Sequence, residues 1–186
     1  MELLDKPLPK PSSEGYAAAR LLEALVEARL ALEFLERGLT RNAAGKAFQS
    51  WRALLAALLR LEMSKLLELV ESEEERRWVR EVAVARVPTT RLKPLSRLLA
   101  RVGYEGVSAW TDKALNLHDY QYNGPDPDMA LSKYSSRREA AHDVVELLLQ
   151  VARLAGSLRG RVEWSADHEE ELKELEGRLT LWVRKQ

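Results

Sequence analysis

The sequence has no cysteine among its 186 residues. Disulfides, zinc–thiolate sites and thiol nucleophiles are therefore excluded. It also lacks an excess of charge: 29 Lys and Arg balance 29 Asp and Glu. Affinity for a polyanion would thus have to come from a local basic patch rather than from net charge. Long hydrophobic runs are missing, because Arg or Glu interrupts every apolar stretch before the roughly 18 residues that a membrane span needs. No membrane association is expected. The opening MELLDKPLPKP carries two acids and three prolines where a signal peptide has a basic start and an apolar stretch, so a cytoplasmic protein is expected. Amides are scarce as well. Asn and Gln together number seven, while Leu, Glu and Arg dominate, the compositional bias of proteins that work at high temperature.

What is present is a 46% hydrophobic and 31% charged chain, the composition of a globular protein with a sizeable core. Its apolar residues recur at helical spacing. Ser12 or Ser13 can cap a first helix running to Arg37, where Gly38 stands in the usual stop position. Leu21, Leu25, Ala28, Leu32 and Leu35 form its buried stripe, with Leu30 and Phe34 left off that line. Thr40 is placed to cap a second long helix ending near Leu69, with Ala44, Phe48, Trp51, Leu55 and Leu58 inward. The short joint between the two forces an antiparallel hairpin. Further helices are expected near 72–86, 92–102, 107–117, 137–158 and 167–182, with one structured loop over 118–136. No alternating strand pattern occurs. The expected architecture is all-α, an antiparallel helical bundle with an additional C-terminal helix. It reads as a single domain over 1–186, with an extended lead at 1–12, a core bundle at 13–158 and a helical appendage at 159–186.

The most suggestive chemistry lies at Ser136-Arg137-Arg138-Glu139-Ala140-Ala141-His142. Ser136 followed three residues on by Glu139 is a capping box, so a helix begins here. Arg137 falls in its first turn and His142 just over one turn later. A guanidinium can grip a phosphate in two-pronged fashion, and an imidazole can move a proton near neutral pH. Together they suffice for cleaving RNA without metal: Arg137 would bind phosphate and His142 would act as acid or base. Arg138, one turn before His142 on the same face, is a further phosphate contact. Spacing by itself is weakly specific, since Arg161 stands a similar distance before His168. The plainer reading is a surface His among ion pairs.

Other candidates have plainer readings too. Asn42, Lys46 and Gln49 share a face of the second helix and could line an active-site groove beside the Arg137/His142 pair, or form an ordinary solvated flank. Tyr120, Tyr122 and Tyr134 could stack bases or orient a phosphate, but more simply pin a loop onto the bundle. His118, Asp126 and Asp128 could hold a metal, but Asp beside Pro is more simply turn chemistry. Arg86, Arg91, Lys93, Arg97 and Arg101 make a basic stripe suited to RNA or to solvent. No phosphate-cradling Gly-rich loop and no metalloprotease helix occur. No metal or cofactor is expected.

The segments GLTRNAAGKAFQSWRALLAAL at 38–58 and YQYNGPDPDMALSKYSSRREAAHDV at 120–144 closely resemble the archaeal PaREP-type family. The Arg137-x-x-x-x-His142 pattern at the head of a late helix resembles the signature of the HEPN superfamily (higher eukaryotes and prokaryotes nucleotide-binding). The resemblance implies a helical bundle that forms a homodimer. For active HEPN members it implies a metal-independent endoribonuclease, often the toxin of a toxin–antitoxin or defence system and so with a cognate antitoxin. The alternative is a non-catalytic module that binds a nucleotide, RNA or a protein partner through the same face. Convergence of Arg137 and His142 in one cleft would favour the enzyme, and divergence the binding module.

Overall fold

The computed structural model describes residues 7–184, which contain helices and no strand. Half of the expected extended lead, residues 1–6, lies outside them. Eight helices in chain order carry the architecture: α1 Tyr16–Glu36, α2 Thr40–Leu61, α3 Met63–Leu69, α4 Glu73–Trp78, α5 Leu92–Arg101, α6 Val107–Asn123, α7 Arg137–Ser157 and α8 Ala166–Val183. Beyond Trp78 the backbone of α4 widens into a π turn over Val79–Ala83 and ends at Val84–Arg86.

The hairpin of α1 and α2 is the centre of the bundle. Gly38 takes φ +74°, which a residue without Cβ adopts freely. Its amide donates to Leu35 O and the Leu39 amide to Phe34 O, the paired bonds of a Schellman stop. Ser50 Oγ then donates to Ala24 O at 2.7 Å, and Lys46 pairs with Glu27 at 2.9 Å. Numbers rise on one helix as they fall on the other, so the two run antiparallel. Leu21, Leu25, Leu32, Phe48, Trp51, Leu55 and Leu148 are fully buried in one continuous core, with Val145 nearly so.

Several boundaries differ from expectation. Thr40 is the first helical residue and Leu39 holds the cap position, offering no side-chain bond. The second helix breaks at Glu62, a buried carboxylate held by Lys65, Arg161 and the Tyr104 hydroxyl. Instead of stopping at Leu117, α6 continues to Asn123, because His118 stacks on Phe48 and Tyr120 enters the core. The loop shrinks accordingly to residues 124–136, where the Asp126 carboxylate accepts from the amides of Leu131 and Ser132 at 2.7 and 3.0 Å.

The C-terminal helix is no mere appendage. Leu172, Leu175 and Leu179 of α8 join the same core, and Arg29–Glu171 and Arg178–Glu36 pairs tie α8 to α1. The apolar strip expected to stay uncovered on α1 is half-buried, with Phe34 packed on the core. The exposed apolar residues of the later helices are Leu149 on α7 and Leu181 and Val183 on α8.

Candidate phosphate-binding site

Three helix ends meet beside the hairpin turn: the start of α2, the end of α6 and the start of α7. The α2–α6 contact is close because Gly45 has no side chain, and a Cβ there would lie 2.1 Å from Gln121 Oε1. Trp51 Nε1 donates to Thr111 Oγ1 at 3.0 Å further along. Arg41, on the first turn of α2, donates to the carbonyls of Gln121 and Tyr122. A cation is thereby fixed on the negative end of α6. Tyr134 holds α7 from the other side, its hydroxyl donating to Asp143 at 2.7 Å, while Lys113 pairs with the same carboxylate at 2.8 Å. Burial and the Asp143 charge push the Tyr134 phenol well above its usual range.

Between these ends lies a cleft of about 190 Å³ lined by Gly38, Leu39, Thr40, Arg41, Asn42, Tyr120 and Arg137. The capping box at Ser136 and Glu139 sets where α7 begins and so where Arg137 stands. Arg137, Arg138, Arg41 and Asn42 are exposed. Tyr120 is fully buried, and its hydroxyl has no hydrogen-bond partner. Burial raises the Tyr120 phenol, while the charges of Arg137 and Arg41 pull it back. The two arginines of the cleft are thus the charges that the phenol feels.

The sequence-derived candidates separate in this geometry. Arg137 and Asn42 share the cleft, whereas His142 does not line it. At about 100° per residue, His142 stands about 140° round α7 from Arg137. Its exposed ring meets Trp182 of α8 edge-on, with centroids 6.3 Å apart. Lys46 is taken up by the buried Glu27, and Gln49 is half-buried further along α2. Tyr120 and Tyr134 are buried and offer no face for a base, which removes the stacking alternative and leaves the plainer reading, that they pin the loop onto the bundle. Tyr122, 63% exposed, keeps a free face and sits edge-on to His118. The second Arg/His pair is structural. Arg161 binds Glu62, and the buried His168 receives the Ser165 amide at Nδ1 while Nε2 lies 2.9 Å from Ala18 O. Among the described residues, no three His, Asp or Glu side chains cluster to hold a metal. In the basic stripe, Lys93 pairs with Asp112, and Arg86, Arg91, Arg97 and Arg101 are exposed.

A sequence profile described as the archaeal PaREP1/PaREP8 family matches residues 19–145, most of the chain. The protein belongs to that family. The matched span holds the whole cleft together with Arg138 and His142, whereas α8 lies beyond it. No curated protein and no solved structure matches the chain. Within this PaREP1/PaREP8 protein, sequence reasoning named Tyr120 but overlooked Arg41. Arg41 stood beside Asn42 at a helix start and was legible as a cation there. That the Tyr120 hydroxyl is buried without a partner was not legible, because its surroundings come from three distant segments.

Proposed function

We propose that the protein is an HEPN-like, nucleic-acid-directed binding module that grips phosphate at the meeting of α2, α6 and α7. One observation carries this reading. Arg137 enters a cleft with Arg41, Asn42 and the start of α2, while His142 turns away onto Trp182. A phosphate held there would meet guanidinium and amide donors but no imidazole. Arg138, exposed at the same helix head, extends the basic surface for a nucleotide or a strand of RNA. Fluorescence anisotropy with a single-stranded RNA tests the reading. Affinity should fall with salt, and Arg137→Gln should both weaken binding and reduce the salt slope by about one. Equal affinity and slope in the variant would refute it.

The second reading is the metal-independent endoribonuclease of a toxin–antitoxin or defence system. One feature favours it: Arg138 and His142 share an exposed face at the head of a capped helix. A homodimer would suit that reading, since a second copy would be needed to set an imidazole opposite the cleft. The exposed Leu149, Leu181 and Val183 supply an apolar surface for such pairing, or for an antitoxin. Light scattering at high micromolar concentration should then show two copies per particle, and a monomer would remove the support for it.

A further inference from the structure

We propose that the cleft at the start of α2 is a subsite for a terminal phosphate monoester, with the Tyr120 hydroxyl donating to one of its oxygens. The inference rests on the phosphate-binding reading above and names which phosphate is bound.

The Tyr120 hydroxyl is the primary observation. Buried polar atoms in folded proteins nearly always have a hydrogen-bond partner, yet this one has none and belongs to a residue lining the cleft. Its ring is held from behind. The Tyr134 ring packs on it nearly perpendicular, with centroids 5.5 Å apart, and Gly124 lies so close that a Cβ there would sit 1.8 Å from a ring carbon. The phenol is therefore a fixed donor, unpartnered and closed to solvent, on a residue that lines the cleft.

The start of α2 points to the same class of ligand. Leu39 in the cap position provides no side-chain acceptor, and the first turn holds no acid. Among the described residues the amides of Thr40, Arg41 and Asn42 have no partner, the first bonded one being Ala43, which donates to Leu39 O. Free amides at the positive end of a 22-residue helix favour an anion. No carboxylate lines the cleft, whereas two guanidiniums do. Of the acids adjoining its segments, Glu36 is engaged by Arg178 and Glu139 by Ser135 and Ser136, while the exposed Asp119 stands next to Tyr120 in sequence.

Size and donor number select the phosphate. At about 190 Å³ the cleft is below the roughly 300 Å³ at which pockets for whole organic ligands begin. A water takes about 30 Å³, so a phosphate group and a few waters fit, and a base stays outside. The Tyr120 hydroxyl, the Asn42 side chain, the Arg137 guanidinium and three amides exceed what the two free oxygens of a chain diester can use. The three oxygens and second charge of a terminal monoester use them better. Free phosphate and the end of a nucleotide or RNA strand share this chemistry.

The test uses the full chain in EDTA and three single-stranded RNA oligonucleotides of one sequence, with a 5′-phosphate, a 3′-phosphate or neither. At least one phosphorylated strand should bind about tenfold tighter than the unphosphorylated strand, and millimolar inorganic phosphate should erase the difference. Tyr120→Phe should lose that preference, about tenfold for one charge-assisted hydrogen bond, while melting no lower than the parent. The exposed Asn42→Ala, which does not touch the core, should weaken it in the same direction. Inorganic phosphate alone should raise the melting temperature of the parent but not of Tyr120→Phe. Equal binding of all three strands, or a preference kept by both variants, would overturn the inference and leave the broader phosphate reading standing. If no strand binds at all, the broader reading fails first.

Discussion

Lys46 lies on the flank of α2, where a solvated or ligand-binding lysine was expected, yet its ammonium answers a carboxylate inside the bundle. Burial raises the pKa of Glu27, and Lys46 counters that by hydrogen bond and charge. Lys46→Met should therefore cost about 1–3 kcal/mol of stability, discounted from a fully buried pair because Lys46 is one-third exposed. RNA affinity should stay within about twofold, measured by urea denaturation and anisotropy on the same sample. Tyr104 poses a question of pH. Burial first, and then its bond to Glu62, lift the phenol to about 12. A free phenol ionises near 10, so the folded state favours the protonated form. That contribution is complete below about pH 10 and is lost as pH rises through about 12. Thermal melts should show an alkaline fall over this window that is smaller in Tyr104→Phe.

At the scale of elements, the ends of helices set the site. The Gly38 stop and the Ser136–Glu139 capping box were readable from sequence, because each depends on neighbours within four residues. They fix where α2 and α7 begin, and with them Arg41 and Arg137. The end of α6 was not readable. Leu117 is the last residue of an evident apolar stripe, and the six that follow are polar or aromatic. They stay helical because Phe48 and the core of the bundle receive His118 and Tyr120, which no local pattern records. Gly124 then ends α6 where only a residue without Cβ clears the Tyr120 ring. Gly124→Ala should destabilise the fold by about 1–3 kcal/mol through overpacking. Because the ring must shift, phosphate-induced stabilisation should fall in the same variant, as thermal melts with and without phosphate would show.

For the whole molecule, the all-α class, the central hairpin and most of the core were legible, because their apolar spacing is long and regular. The role of α8 was not, since its own sequence does not say that Leu172, Leu175 and Leu179 complete the face of α1 and α7. Leu32 is fully buried in that shared core, and Leu32→Ala should cost about 2–5 kcal/mol, measurable by chemical denaturation. The candidate site was half legible. Arg137, Arg138, His142 and Asn42 are exposed polar groups, and their grouping depends on how three helix ends and α8 meet. That grouping places Arg137 in the cleft and His142 against Trp182, and the account turns on this separation. The most direct measurement incubates the purified full chain with end-labelled single-stranded RNA in EDTA, beside Arg137→Gln and His142→Ala. The account predicts RNA bound but intact, with binding weakened in Arg137→Gln and retained in His142→Ala. Cleavage by the parent that disappears in His142→Ala would contradict it.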